Sequence, residues 1–445
     1  MYGPESRNCL SMESVPTFPQ VRHGPSGHSV RFDERAQGGT MEKLTGKAII
    51  AMGGGPTAVI NQSLVGAVLQ ARQYPHITQF YGAFRGVEGL VEEQLVNLSE
   101  ATGHNLELVA RTPGAGIRST RLKPDEEFCK RIFDVCKAHG IHYFFYIGGN
   151  DSAETCRIVN TFALAEGYEL RVMHIPKTID NDLRITDHCP GYGSAARFVS
   201  MAFSGANLDN RSLPGVYIGV VMGRHAGFLT AASVFARKYP DDGPHLVYVP
   251  ERPFDHEEFL ASVEATYSKY GRAIIAVSEG IQDTEGQPVV AGLMKEVERD
   301  SHGNVQLSGT TSLGDALMDL VKSKLKIKRV RSDTFGYLQR SFLSCVSEVD
   351  AHEAREVGER AVQIAAWHRV DGSITIERIG DYSVRYNLTP LQEVAKETKC
   401  MPDSFLDGAN NMTTEFKNYA RPLIGEFPAY ERINAPIVEK ILNKK

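Results

Sequence analysis

Short apolar runs that end in a glycine-rich polar loop and then give way to a helical period recur along most of this chain. That rhythm restricts its architecture more than any single residue does. Residues 47–52 run into Gly53-Gly54-Gly55 and then a helical spacing through Leu64, Val65, Val68 and Leu69; residues 141–147 run into Gly148-Gly149-Asn150-Asp151-Ser152 and a helix carrying Ile158, Val159 and Phe162. Residues 170–175 lead to Pro176-Lys177-Thr178-Ile179-Asp180-Asn181-Asp182, residues 215–221 to Met222-Gly223-Arg224-His225-Ala226-Gly227, and residues 272–277 to Ser278-Glu279-Gly280. Strands alternating with helices predict an α/β fold with largely parallel sheets. The polar loops then stand at the carboxyl ends of the strands, where open sheets of this kind bind ligands.

Composition narrows the function classes. With 445 residues and 42% hydrophobic content the chain is long enough for two or three domains with sizeable cores. A formal charge of -5 gives no footprint for nucleic acid, so an anion site has to be local. The seven cysteines are scattered without a C-x-x-C pair, which argues against a disulfide framework and a zinc site. No apolar run approaches the roughly 20 residues of a membrane span and no signal-peptide pattern opens the chain, so the cytoplasm is the expected compartment. Residues 1–43, rich in Pro, Ser, Gly and Arg, show no period and are expected to be a disordered extension or sequence upstream of the true start, with Met12 and Met41 as later candidates. Residues 281–310 read as a surface loop or hairpin.

Several loops carry candidate chemistry, each with a plainer alternative. The 176–182 loop crowds two carboxylates, a hydroxyl and an ammonium at a strand end, or is a turn capped by Asp and Asn. Gly53-Gly54-Gly55 before a helix is a phosphate-binding arrangement or a tight turn. Arg118 and Arg121 stand among glycines and hydroxyls, suited to bidentate phosphate contact or to solvent. Asp151 or Ser152 caps the following helix, or the same helix end receives a donor phosphate or its metal. Arg224 is set to meet an anion in the cleft. The basic run 322–331 reads as a solvated face whose last member, Arg331, is able to cross a subunit boundary.

Taken in order, the N-terminal glycine loop, G-G-x-x-S, T-I-D-N-D, and M-G-R followed by G-Y-L-Q-R resemble the phosphofructokinase family over most of the chain, from about Lys47 to beyond Arg340. The resemblance implies two Rossmann-like α/β/α domains with the active site in the cleft between them: a donor domain over 44–190 completed by about 341–390, and a sugar-phosphate domain over 191–340 completed by 391–445. ATP-using members typically carry glycines where this chain has Asp151 and Lys177, the pattern of the pyrophosphate-dependent members. A carboxylate at Asp151 would repel an α-phosphate, and the Lys177 ammonium neutralises charge on a departing phosphate. The implied reaction is phosphoryl transfer from pyrophosphate to the 1-hydroxyl of fructose 6-phosphate, serving glycolysis or its reversal. Asp180 would be the base, Thr178 and Asp182 would fix sugar and loop, and Arg224, Lys177, Arg121 and Mg²⁺ would stabilise the transferring group. Gly54 and Gly55 would contact pyrophosphate. Met222, Gly223, Glu279, Tyr337 and Arg340 match family positions that hold the sugar phosphate, and Arg331 matches one often supplied by a neighbouring subunit, which implies a homodimer with a shared site. Asp151 is the implied metal ligand, with Asn150 a weaker one.

Three positions depart from the family pattern. Asn150 replaces the aspartate of G-G-D. Gly215 stands where many members carry an arginine for the sugar's 6-phosphate, with Arg211 as a nearby substitute. The first loop reads G-G-P-T-A-V-I-N in place of G-G-D-x-P-G. The alternatives are sedoheptulose 7-phosphate as sugar, ATP as donor, or a non-catalytic sugar-phosphate-sensing subunit.

Overall fold

A computed structural model describes residues 43–293, 312–380, 383–395 and 398–442. The expected N-terminal extension, except for its last residue, and the stretch of the 281–310 loop holding Gly303 and Gly309 lie outside these residues. Eleven strands form two sheets: β1 (Gly46–Met52), β2 (Ile77–Ala83), β3 (Leu95–Asn97), β4 (Ile141–Gly148), β5 (Arg171–Pro176), β6 (Val216–Val221), β7 (Leu246–Tyr248), β8 (Ala273–Ser278), β9 (Val330–Thr334), β10 (Gly372–Arg378) and β11 (Val384–Thr389). The first sheet runs β11-β10-β5-β4-β1-β2-β3 and the second β7-β8-β6-β9. Within these two sheets pairing is parallel except at the two ends of the first, where β3 and β11 are antiparallel; a separate antiparallel pair joins Leu406–Asp407 to Asn411–Met412. The α/β architecture with largely parallel sheets is therefore as expected.

Central strands are apolar on both faces because helices cover both. In β1, Ala48, Ile50 and Met52 point to one core with the helix Ile60–Ala71 and the helix Glu348–Trp367, while Ile49 and Ala51 point to another with the helices Glu126–Ala138 and Asn150–Ala165. The second sheet divides its side chains the same way, Ile274 and Ala276 to one side and Ile275 and Val277 to the other. Two stretches differ from the sequence reading. The end of the basic run 322–331 enters a strand, β9, which pairs with β6 and alternates exposed positions (Arg331, Asp333) with buried or partly buried ones (Val330, Ser332, Thr334). The C-terminal stretch, whose sequence shows no clear period, contains β11 and the helix Thr414–Ile424, which joins the core of the second sheet through Phe416, Ala420 and Leu423.

Chain crossing back from the second sheet to the first depends on close helix packing. A Cβ on Gly358 would stand 2.1 Å from the Ser63 carbonyl oxygen, and one on Gly66 2.5 Å from that of Arg355, so the two helix backbones meet where neither has a side chain. Asp350, near the start of the later helix, is buried and accepts from the Gly191 and Ser194 amides at 2.8 and 2.9 Å and from the Ser194 hydroxyl at 2.6 Å. It thereby satisfies the first turn of the helix Tyr192–Ser212, which opens directly after the 176–190 loop. Gly358→Val should lower stability by about 1–3 kcal/mol through overpacking in denaturant melts. Gly103→Ala, which meets nothing within 4 Å, is the control; equal midpoints for the two variants would refute the close approach.

Candidate active site

The carboxyl ends of β1, β4, β5, β6 and β8 converge on one cleft of about 660 Å³, lined from the first sheet by Gly54, Gly55, Arg121, Asn150, Asp151, Lys177, Thr178, Asp180 and Asp182, and from the second by Met222, Arg224, Glu279, Tyr337 and Arg340. Most lie in loops that leave a strand end; Asn150 and Asp151 open the helix Asn150–Ala165, Arg121 lies in the segment before the helix Glu126–Ala138, and Tyr337 and Arg340 lie in the short helix Gly336–Arg340 after β9. Parallel pairing is the reason: it brings the same end of every strand to one side.

At one end stands a concentration of positive charge. The Lys177 ammonium donates to the Gly55 carbonyl at 2.8 Å, across from β5 to the loop after β1. Burial, and then the guanidiniums of Arg121 and Arg340, pull its pKa down to about 7. Gly54 has φ +76° and a Cβ there would come to 3.2 Å of the Lys177 nitrogen; a Cβ on Gly55 would come to 3.1 Å of both Arg121 and Arg340. Glycine is what lets the first loop lie against three cations. The Gly54 amide donates to the Thr120 carbonyl at 2.8 Å, so this residue meets the cleft without a free N–H.

A few residues further along the same loop the charge reverses. Burial, and then Asp182 and Glu279, push Asp180 up to about 7. Asp182 is also raised by burial, although the Thr178 hydroxyl hydrogen-bonds its carboxylate. The same hydroxyl accepts the Asp180 amide at 3.1 Å, which fixes the turn between them. Arg340 stacks over the Tyr337 ring at 4.5 Å and reaches toward both Lys177 and Asp180. On the second sheet, the Ser278 hydroxyl donates to the Gly223 carbonyl at 2.5 Å, and the Met222 amide to Gln339 at 3.3 Å. These bonds hold the turn that presents Arg224.

The helix-cap reading of Asp151 and Ser152 does not hold. Gly149 is the N-cap of Asn150–Ala165 and no side chain caps it. The Asp151 carboxylate instead faces Lys123 at 3.2 Å across the mouth of the cleft, with both side chains well exposed. Asn150 Oδ1 is buried without a hydrogen-bond partner. Two sequence candidates stay outside. Arg331 is exposed on β9 and is absent from the cleft lining, and Arg211 is tied to Asp241 at 2.6 Å. Gly215 has no room for a side chain, since a Cβ would stand 2.6 Å from the Arg329 carbonyl. Gly223 supports the lining through its backbone. Lys123, Thr120, Tyr146 and His225 line the cleft and were not singled out by sequence. Lys123 is legible in the sequence as a cation two residues after Arg121, whereas Tyr146 sits inside an apolar strand and carries no local signal. Among the described residues no group of three or more His, Cys, Asp or Glu is arranged to hold a metal, and no helix is long and apolar enough to cross a membrane. The described cysteines are all free thiols.

Comparison with known proteins bears on this geometry. The family model for phosphofructokinase matches residues 47–365. The chain is 59% identical over 401 residues to the pyrophosphate–fructose 6-phosphate 1-phosphotransferase of Rhodospirillum rubrum, covering 90% of this chain and 99% of that one. It is 38% identical over 398 residues to the protein of that name from Xanthomonas campestris, covering 86% and 93%. A crystal structure of a pyrophosphate-dependent phosphofructokinase from Marinobacter aquaeolei superposes with a TM-score of 0.75 at 31% identity, covering 89% of this chain and 98% of that one.

The charge arrangement has a consequence for anion binding. With its pKa near 7, Lys177 is protonated below that pH and neutral above it. Calorimetric titration with sulfate, whose charge is constant, should show affinity falling several-fold from about pH 6 to about pH 8.5, and Lys177→Met should remove most of that fall. A flat profile in the native protein would mean that the ammonium does not meet the anion.

Proposed function

The chain belongs to the phosphofructokinase family, and from that premise we propose that it transfers a phosphoryl group from pyrophosphate to the 1-hydroxyl of fructose 6-phosphate, giving fructose 1,6-bisphosphate and phosphate. The observation that carries this reading is the polarity of the cleft, with Lys177, Arg121 and the first glycine loop at the donor end and Asp180, Asp182 and Glu279 at the acceptor end. Its relatives named for the same reaction, at 59% and 38% identity, support the substrate pair.

In this mechanism Asp180, with its pKa near 7, takes the proton from the attacking hydroxyl. Asp182 and Thr178 hold the loop and the sugar. Lys177 donates to the phosphate that departs, and Arg121 and Arg224 neutralise the group in transfer. Met222, Gly223, Glu279, Tyr337 and Arg340 hold the acceptor, and Arg331 serves the active site of a neighbouring subunit in a homodimer. Asp151 disfavours ATP by repelling an α-phosphate. Asn150, whose Oδ1 is buried and unpartnered, and the adjacent Asp151 would hold Mg²⁺ at the donor end, with remaining ligands coming from phosphate oxygens and water. When bound, the metal neutralises charge on pyrophosphate. A reaction of glycolysis or its reversal belongs in the cytoplasm. Sedoheptulose 7-phosphate is a second acceptor to consider, because Gly215 excludes the arginine that many relatives use for the sugar phosphate and Arg211 is engaged elsewhere.

Initial rates with Mg²⁺ and either sugar phosphate, offering pyrophosphate and ATP in parallel, should show turnover with pyrophosphate alone; turnover with ATP alone would sink the donor assignment. Asp180→Ala should lower kcat by roughly 10²–10⁴-fold while sugar phosphate still binds. The profile of kcat/KM against pH should be a bell, rising as Asp180 loses its proton and falling as Lys177 loses its own, with both apparent values near 7. A profile without an acid limb would remove Asp180 from the role of base.

A further inference from the structure

Asn181 sits between the two carboxylates of the T-I-D-N-D loop and has no part in the chemistry above. It is fully buried and adopts φ +60°, a left-handed conformation that directs Asp180 and Asp182 into the same cleft. Asparagine is among the few residues with a side chain that adopt this conformation, and here it does so between two partly buried carboxylates that repel each other. Something has to hold it.

The hydrogen bonds identify what does. The Asn181 amide group donates to the Tyr419 hydroxyl at 2.7 Å, and its carbonyl oxygen accepts the Cys189 amide at 3.0 Å. Tyr419 in turn donates to the Asp187 carbonyl at 2.9 Å. One phenol therefore joins the carboxylate turn to the segment five residues beyond it. The phenol itself has little freedom: its ring packs on Phe405 and Phe228 at 5.1 and 6.1 Å, and the Arg378 guanidinium lies 4.8 Å over it while donating to the Tyr419 carbonyl at 2.8 Å. Nearby, the Lys399 amide donates to the Asp182 carbonyl at 2.7 Å, and its ammonium to the carbonyls of Thr186 and Asp187 at 2.9 and 2.8 Å. Tyr419, Arg378 and Lys399 all lie beyond residue 365, where the family match ends.

We propose that Tyr419 is a positioning residue for the reaction, its hydroxyl holding Asn181 in the left-handed turn and so aiming Asp180 at the attacking hydroxyl. The inference rests on the reading of Asp180 as base, and it adds a C-terminal component to that site. Tyr419 touches no substrate. Its loss would loosen the angle of a proton transfer and leave the binding of pyrophosphate to Lys177, Arg121 and Arg224 intact.

The test uses full-length Tyr419→Phe, Asn181→Gly and the double variant, with thermal midpoints measured alongside. Tyr419→Phe should lower kcat about tenfold with KM for pyrophosphate changed less than about twofold. In the Asn181→Gly background, which lacks the bond and tolerates the left-handed turn, the same change should cost less than about twofold, because the bond it removes is already gone. A lowered melting midpoint with unchanged kcat would make Tyr419 a packing residue only, and multiplicative losses in the double variant would refute action through Asn181. If the native enzyme shows no turnover with pyrophosphate, the functional reading fails by itself. Hydrogen exchange over residues 179–190 then still decides the inference: protection in Tyr419→Phe equal to that of the native chain overturns it, and exchange accelerated about tenfold or more upholds it.

Discussion

A single hydrogen bond, from the Lys177 ammonium to the Gly55 carbonyl at 2.8 Å, joins the loop after β5 to the loop after β1 and sets the character of the cleft. It brings a buried cation within the field of two guanidiniums, which is unfavourable in the absence of an anion. A few residues along the same loop, two carboxylates are forced together with the opposite imbalance. The loop thus carries one sign of charge at its start and the other at its end. Neither is fully compensated by the protein, so each end suits a ligand of opposite demand: a polyanion at the first and, on the proposed mechanism, a hydroxyl proton at the second. A site for phosphoryl transfer asks for little else beyond alignment.

Alignment comes from the scaffold. Because pairing in the interior of both sheets is parallel, the cleft loops that follow strands leave the sheets on one side, and small residues let them approach one another. The C-terminal segments complete the arrangement from behind. Asp350 satisfies the amides that follow the carboxylate loop, and Glu251 accepts from the Gly227 amide at 2.9 Å and the Met401 amide at 3.0 Å, so the turn after Arg224 is braced by the same strap that supplies Lys399. Chemistry is concentrated in loops while their conformations are dictated by residues that never meet a ligand.

How much of this can be read from the chain without coordinates follows from how local each signal is. The buried strands are legible because their apolar runs are continuous and bounded by glycine, and the loops at their ends inherit position from them, which is how the sequence itself points Lys177, Asp180, Arg224 and Glu279 toward the cleft. β11 is harder, since Val384-Arg385-Tyr386-Asn387-Leu388-Thr389 buries only its last two residues and resembles irregular tail. The helix Thr414–Ile424 hides behind Pro422, a residue normally read as a stop. At Asp151 the capping rule is chemically sufficient and still incorrect, because Gly149 begins the helix and leaves the carboxylate free to face Lys123. Tyr419 carries no signal at all. Its importance arises from a contact with Asn181 across more than half of the chain, and no window of sequence contains both.

The return of β10 to β5 bears on synthesis. The first sheet receives its parallel strand at Gly372–Arg378 only after the whole second sheet has been made, although its other central strands are finished by Pro176. At ribosomal rates of roughly 5–20 residues per second, the edge of β5 waits on the order of ten seconds or more before its partner emerges. During that interval it presents unpaired amides and carbonyls from a strand whose residues are all buried in the finished protein. The late arrival of β10 thus gives the nascent chain a period in which the edge of β5 is open to wrong strand pairing.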